Sequence, residues 1–148
     1  MHRLVYSCHA TREMSQADLK QIADASQRRN TRLSVTGVLL YGHRRFVQVL
    51  EGEAPGVMEV LEQIDNDDRV SPMRVEALLR IDRPLFDRWS MAVSDVTSNA
   101  AVASGHFAEL LTIFATQPDQ TRSREDVERV LASYRELLDQ HQTEMITA

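Results

Sequence analysis

Three polar side chains stand among apolar neighbours in segments that should form strands or helix ends. Tyr6 and Gln48 each lie in the middle of a short apolar run, and Asn30 lies at the end of a helical stretch. A phenol and two amides can donate and accept several hydrogen bonds. Period-2 alternation places Gln48 between Phe46 and Leu50 on a core-facing row, where an amide costs free energy unless it has partners. The sequence therefore predicts a buried polar contact at Gln48.

Each of these three residues also has a simpler interpretation. Asn30 has the residue type of a helix C-cap. Tyr6 can pack its ring in the core with its hydroxyl on a backbone carbonyl. Gln48 would face solvent if the strand register were shifted by one residue. Residue types and spacing alone leave these alternatives open.

Other reactive groups give little support for an enzyme. Cys8 and His9 are adjacent on a predicted strand, so they point to opposite faces and do not form a nucleophile–base pair. No two of the five histidines are spaced i,i+4, and one cysteine cannot build a cysteine-rich metal site. There is no glycine-rich phosphate loop or nucleophile elbow, so a ferredoxin-like hydrolase such as an acylphosphatase is disfavoured. The paired carboxylates are interpreted as surface charge and capping groups: Glu51 and Glu53, and Asp67 and Asp68.

The composition is that of one ordinary globular domain. The chain has 148 residues, 43% of them hydrophobic, and a formal net charge of −5. This charge argues against a nucleic-acid binder, and Arg28-Arg29 and Arg44-Arg45 are interpreted as a solvated helix end and a hairpin. No apolar run approaches a membrane span or a signal peptide, so we expect a cytoplasmic protein without a membrane contact.

The pattern of apolar residues predicts the order β-α-β-β-α-β-β. Ser15-Gln16-Ala17-Asp18 has the form of a capping box, and Arg69 is expected to compensate the acidic end of the second helix, because acids there oppose the helix dipole. The predicted elements are a strand over Arg3–Cys8, a helix from Ser15 to near Asn30, strands over Leu33–Tyr41 and Arg44–Glu51, a helix from Pro55 to the acids at 65–68, a strand over Met73–Ile81, and a short strand within Phe86–Val93 that carries Trp89 and Met91 on one face.

This order predicts an α+β, ferredoxin-like sheet with two helices on one face. Both helical stripes are narrow, which leaves a slot between Ile22 and Ile64 for a flat ligand. A small, polar stretch follows residue 95. Two further helices are predicted beyond it, as a C-terminal helical hairpin whose apolar face must be buried on the first domain or on another subunit. We therefore expect two parts, residues 1–95 and 96–148.

Several separated strings resemble the BLUF family, the blue-light sensors using FAD. They occur in the family's order and cover roughly residues 2 to 95. The most distinctive is Phe46-Val47-Gln48-Val49-Leu50-Glu51-Gly52; the others are Arg3-Leu4-Val5-Tyr6-Ser7, Ser26-Gln27-Arg28-Arg29-Asn30, Val35-Thr36-Gly37-Val38-Leu39-Leu40-Tyr41, Asp67-Asp68-Arg69 and Trp89-Ser90-Met91. The resemblance implies a photoreceptor with a reversible photocycle and no substrate turnover.

The resemblance also implies roles for individual residues. Tyr6 would be the electron and proton donor to the photoexcited flavin, and Gln48 the amide that bridges this tyrosine and the flavin N5/O4 edge. Asn30 would hydrogen-bond the ring carbonyl and N3 side. The remaining implied contacts are Ile22 and Ile64 on the two ring faces, Arg69 near the ribityl–phosphate tail, and Trp89 and Met91 as the fifth-strand pair linked to signalling.

Two positions depart from the family pattern. Arg29 stands where relatives often carry Asn or His, and Val70 follows Arg69 where relatives often have His. These departures leave the cofactor open between FAD, FMN and riboflavin. The implied output is an unidentified downstream protein or a rearrangement of a homo-oligomer, because no cyclase- or phosphodiesterase-sized segment follows residue 95. The alternative is a light-insensitive protein-interaction adaptor on the same scaffold.

Overall fold

The computed structural model describes residues 1–42, 44–69, 73–87, 91–95, 129, 132 and 146–147. The predicted C-terminal hairpin lies outside the described residues, apart from the helical residues 129 and 132, and so does Trp89. The elements are β1 (His2–His9), α1 (Gln16–Arg32), β2 (Thr36–Gly42), β3 (Arg45–Gly52), α2 (Ala54–Asp65), β4 (Arg74–Arg80), β5 (Ala92–Asp95) and β6 (Ile146–Thr147).

The strands form one sheet in the order β4-β1-β3-β2-β5-β6. The first four are antiparallel to their neighbours, β5 is parallel to β2, and β6 is antiparallel to β5. The predicted α+β fold is confirmed, since β1 to β4 form an antiparallel four-strand sheet with two helices. In this order the β1-α1-β2 and β3-α2-β4 units interleave, so β1 and β3 lie side by side in the middle of the sheet.

Both helices contribute to one core on one face of the sheet. Alternate residues of β1 and β3 point into this core, and the helices add their own apolar stripes. The buried residues of this core include Leu4, Tyr6 and Cys8 of β1, Phe46 and Leu50 of β3, Leu19 and Ala23 of α1, and Val57 and Val60 of α2.

Helix α1 begins as the sequence predicts. The Ser15 side chain accepts a hydrogen bond from the backbone N–H of Asp18, and the Asp18 carboxylate accepts one from the backbone of Ser15, which forms a reciprocal capping box. The helix continues past Asn30 to Arg32, with Leu33 as its C-cap. Arg29 and Arg32 lie in the last turn, where positive charge is favourable.

Gly37 permits the close contact between β2 and β3. A Cβ atom added at this position would collide with the backbone oxygen of Val49, which a strand cannot move without losing its register. The close approach of the two strand backbones therefore explains the glycine in the string Val35-Thr36-Gly37. It brings β2 against the strand that carries Gln48.

The opposite face of the sheet is buried as well, and it contains an ion pair. Arg3 and Glu51 are register partners on β1 and β3, with 3.6 Å between Arg3 Nη2 and Glu51 Oε2. The interpretation of Glu51 as surface charge is therefore wrong. Burial raises the pKa of Glu51, while Arg3 and the backbone amides of Leu85 and Phe86 lower it.

Glu51 also binds the segment that precedes β5. Its carboxylate accepts hydrogen bonds from the backbone N–H groups of Leu85, at 2.8 Å, and Phe86, at 3.1 Å. These amides are therefore satisfied by a side chain rather than by a strand ladder. A fifth strand was predicted within Phe86–Val93; the described fifth strand is Ala92–Asp95, and Met91 immediately precedes it. The two-residue strand β6 is too short to leave a periodic signal and was not predicted.

No helix within the described residues combines the length and apolar character that crossing a membrane requires.

Candidate functional site

Tyr6 and Gln48 form a buried hydrogen-bonded pair at the centre of the sheet. They are directly opposite each other in the antiparallel register of β1 and β3. The Tyr6 hydroxyl donates to Oε1 of Gln48, and each residue is only 2% exposed. The alternative of a solvent-facing Gln48 is excluded by this burial. The predicted buried polar contact of Gln48 is confirmed.

The other end of the Gln48 amide meets Met91. Its Nε2 donates to the Met91 Sδ at 3.5 Å, and Met91 is buried. A thioether is a weak acceptor, so this bond is the weaker of the two. The amide is therefore held between a strong donor on β1 and a weak acceptor just before β5.

A cleft opens between α1 and α2 beside this pair. Its empty volume is about 510 Å³, which includes the solvent at its open mouth. Its lining comes from β1, β2, β3, both helices and the segment that follows α2. The lining residues are Tyr6, Cys8, Ile22, Ala25, Ser26, Arg29, Leu39, Phe46, Gln48, Ile64, Asp67 and Arg69.

Five of the eight predicted site residues line this cleft: Tyr6, Ile22, Gln48, Ile64 and Arg69. Met91 contacts Gln48, and Trp89 lies outside the described residues. Asn30 is not among the lining residues. It is fully buried behind Arg29, and its Oδ1 accepts a hydrogen bond from Arg29 Nε at 3.1 Å.

The burial of Tyr6 and Cys8 keeps both groups protonated. Burial raises the pKa of the Tyr6 phenol well above its ordinary value; Cys8 raises it further, Arg29 lowers it and Asp67 raises it. Burial, with a smaller contribution from Asp67, raises the pKa of the Cys8 thiol to about 12. Tyr6 is therefore a neutral hydrogen-bond donor at physiological pH, and Cys8 is a poor nucleophile.

A clamped ion pair lies at the end of the cleft that follows α2. Arg69 Nε donates to Asp67 Oδ1 at 2.9 Å, and Arg69 Nη2 donates to Asp67 Oδ2 at 2.5 Å. These hydrogen bonds hold the pKa of Asp67 below its ordinary value. The expectation that Arg69 compensates the acidic end of this helix is confirmed.

Two cleft residues were predicted to be ordinary surface charges. Arg29 is half-buried while its neighbour Arg28 is exposed, so only Arg28 fits the interpretation as a solvated helix end. Asp67 is likewise partly buried. Helical spacing contained the missing signal, because Ile22, Ser26 and Arg29 follow at i, i+4 and i+7 on one face of α1. The apolar stripe predicted for α1 stops at Ser26 and does not include Arg29, which is charged.

The cleft fits an aromatic ring with a polar edge. Ile22 and Ile64 supply apolar walls from two helices, and Tyr6 and Gln48 supply hydrogen-bonding groups. Arg29 Nη2 is buried and has no hydrogen-bond partner in the described structure, although Arg29 lines the cleft. A buried guanidinium nitrogen without a partner is expensive unless a ligand supplies an acceptor. Among the described residues, no cluster of histidine, cysteine and carboxylate side chains could hold a metal ion.

A protein-family model matches the part of the chain that contains most of this fold. The family model described as "BLUF: Sensors of blue-light using FAD" matches residues 1–92. A photoactivated adenylate cyclase subunit beta-like protein of Euglena gracilis is 41% identical over 112 residues, which is 76% of this chain and 13% of that protein. The photoactivated adenylate cyclase subunit beta of Euglena longa is 44% identical over 66 residues, which is 45% of this chain and 8% of that protein. The chain thus spans only a small part of these relatives.

Solved structures share the whole architecture. The dark-state structure of the BLUF protein BlrB has a TM-score of 0.74 and 28% identity, covering 91% of this chain and 95% of that one. The photo-activated state of BlsA has a TM-score of 0.69 and 25% identity, covering 90% and 94%. A bacterial light-regulated adenylyl cyclase has a TM-score of 0.68 and 28% identity, covering 90% of this chain and 36% of that one.

Proposed function

The chain belongs to the BLUF family, the sensors of blue light using FAD, and from this membership we propose that it is a blue-light photoreceptor whose switch is the Tyr6–Gln48 hydrogen bond. One oxidised flavin is bound in the cleft between α1 and α2. The observation that carries the proposal is the position of Tyr6 and Gln48, which are bonded to each other, buried, and on the wall of one cleft.

The residues that would hold the flavin have distinct tasks. Ile22 and Ile64 pack against the two faces of the ring. Gln48 and Tyr6 meet its reactive edge. Family resemblance assigns the carbonyl and N3 side to Asn30, which would have to exchange its bond to Arg29 for one to the ring, because it does not line the cleft. Arg69 meets the ribityl–phosphate tail, although Asp67 already occupies much of its hydrogen-bonding capacity. FAD is the expected cofactor, and FMN or riboflavin can satisfy the same ring contacts.

In the proposed photocycle, Tyr6 gives up an electron and a proton and then takes both back. When bound, a flavin would absorb blue light and in its excited state accept one electron and one proton. Tyr6 would supply both: the electron directly, and the phenolic proton to Oε1 of Gln48, whose amide nitrogen would release a proton to the ring in its place. Both would then return to Tyr6, so no substrate is consumed. Tyr6 begins as a protonated donor because burial raises its pKa.

The lasting change is in Gln48. The two ends of a primary amide differ, one being a donor and one an acceptor. In the structure Oε1 faces Tyr6 and Nε2 faces Met91, and we assign this arrangement to the dark state. After the cycle Gln48 is turned, or tautomerised, and presents a stronger donor to the ring edge, which shifts the absorption slightly to the red. Turning the amide also replaces its contact with Met91.

The output passes from Met91, with Trp89, to residues 96–148. We expect residues 1–95 to act as the sensor and residues 96–148 to signal, through a downstream protein or through a change of homo-oligomer. The chain acts as a sensor and not as an enzyme. Such propagation requires an element with two arrangements, and Met91 contacts the Gln48 side chain directly before β5.

The test is to purify the protein, load it with FAD, FMN or riboflavin in separate samples, and record absorption before, during and after blue light. We expect a yellow protein with a small red shift that reverses in the dark. A protein that takes up no flavin, or a yellow one without a reversible shift, overturns the proposal. The second of these results would leave a light-insensitive adaptor.

A further inference from the structure

We propose that Arg29 places a positive charge on the wall of the flavin cleft and that this charge favours the negatively charged, reduced form of the bound flavin over the neutral oxidised form. The inference rests on the proposed flavin site. It concerns a residue to which the proposed photocycle gives no role.

The first observation is the position of the guanidinium. Arg29 lines the same cleft as Tyr6 and Gln48. Its Nε donates to Oδ1 of the fully buried Asn30 at 3.1 Å, so the planar group has a fixed anchor. The Nη2 atom is buried and has no partner in the described structure. A charged donor is therefore held beside the cleft with unused hydrogen-bonding capacity.

The second observation is that no carboxylate of the described residues bonds Arg29, although Asp67 is close enough to raise its pKa. Asp67 is the acid of the cleft lining, but both of its oxygens are bonded to Arg69. The cleft lining thus contains two cations and one anion, in a chain whose net charge is −5. The positive excess belongs to Arg29, because the charge of Arg69 is directly neutralised.

The pKa shifts of Arg29 and Tyr6 agree with a guanidinium close to the Tyr6 hydroxyl. Burial lowers the pKa of Arg29, while Tyr6 and Asp67 raise it. Arg29 in turn lowers the pKa of Tyr6. Arginine remains charged at neutral pH despite such a shift. Its charge is therefore felt at the group that faces the ring edge.

A charge near a flavin ring changes how easily the ring is reduced. On reduction by an external reductant such as dithionite, the ring takes up two electrons and one proton, and the product carries one negative charge. A fixed cation in a partly desolvated site attracts this form more strongly than the neutral oxidised form. Arg29 therefore raises the midpoint potential of the bound flavin.

The experiment is a reductive titration of the flavin-loaded protein against a reference dye, after unbound flavin has been removed by gel filtration. The variants are Arg29→Gln, Arg29→Lys, and Arg28→Gln as the matched control, because Arg28 is the adjacent exposed arginine. We expect Arg29→Gln to decrease the ratio of reduced to oxidised flavin at a given potential by about tenfold, which is about 30 mV for a two-electron couple. Arg29→Lys should restore most of the difference, and Arg28→Gln should match the wild type.

Three results overturn the inference while leaving the flavin site intact. They are an unchanged potential in Arg29→Gln, an equal shift in Arg28→Gln, and a folded Arg29→Gln protein that no longer binds either form of the flavin. The last result would mean that Arg29 holds both forms alike. A wild-type protein that binds no flavin removes the proposed function itself, and this inference with it.

Discussion

Tyr6 and Gln48 face each other across the pairing of β1 and β3, and the tyrosine hydroxyl donates to the glutamine carbonyl oxygen. Directly opposed residues in an antiparallel pair have their side chains close together on one face. The contact is therefore fixed by backbone register, and both side chains lie on the wall of the cleft.

Replacing Tyr6 with Phe should abolish the light-induced red shift while leaving flavin binding largely intact. The phenol is the group proposed to supply the electron and proton, whereas the ring that fills the core is retained. Absorption spectroscopy under blue light measures the loss. The matched control is Tyr41→Phe, because Tyr41 is equally buried, has its hydroxyl bonded to the backbone N–H of Met14 and does not line the cleft. A normal photocycle in Tyr6→Phe would contradict the role assigned to Tyr6.

Replacing Gln48 with Leu should also abolish the photocycle, since the side chain that turns is removed. The buried Tyr6 hydroxyl then loses its acceptor, so the free energy of unfolding should fall by about 1–3 kcal/mol. Illumination and urea unfolding measure the two effects. Gln63→Leu on the exposed face of α2 is the control, because Gln63 bonds only a neighbouring glutamate of the same helix in the described structure. If Gln48→Leu cycles like the wild type, Gln48 is not the switch.

Alkaline pH should destabilise the wild type more than Cys8→Ala. The pKa of Cys8 is raised from 9.0 to about 12 in the folded protein. Above pH 9 the unfolded chain therefore releases the thiol proton while the folded chain keeps it, so stability decreases as the pH rises toward 12. The difference should reach about 1.4 kcal/mol per pH unit between these limits. Urea unfolding of both proteins from pH 8 to 11 measures it, and parallel curves would show that the thiol is more accessible than its burial implies.

Asp67→Asn should increase the preference of the cleft for a flavin with a phosphate. In the wild type the charge of Arg69 is neutralised by Asp67, and the neutral amide releases it. The affinity ratio of FMN to riboflavin should rise about threefold, the scale of a partly exposed ion pair. Titration of the apoprotein with each flavin measures this ratio. Asp68→Asn is the control, because Asp68 is adjacent, exposed and not part of the cleft lining; an equal effect there would indicate general charge and not release of Arg69.

Regular periodicity made the sheet and the ring slot predictable. Alternation on β1 and β3 placed Tyr6 and Gln48 on the inner face, and helical spacing placed Ile22 and Ile64 on facing helices. The capping box at Ser15 gave the start of α1. These signals are local, and they depend on the chain alone.

The remaining features depend on contacts between distant segments. Glu51 has the residue type of a surface acid, but it is buried because Arg3 and two backbone amides of the segment before β5 satisfy it. Arg29 is charged, and its burial depends on the anchor provided by Asn30 and on the cleft that α2 completes. No pattern within a single element reports such partners.

The central position of β3 determines how rigid the switch must be. The backbone of Gln48 is paired with Tyr6 on one side and with Leu39 on the other, so every amide around it is enclosed by two ladders. Such amides exchange their hydrogens with solvent only in rare openings close to global unfolding. Turning the Gln48 side chain therefore leaves the strand protected in both states. Light-dependent hydrogen exchange should instead appear in residues 91–95, where Met91 lies directly before a four-residue strand.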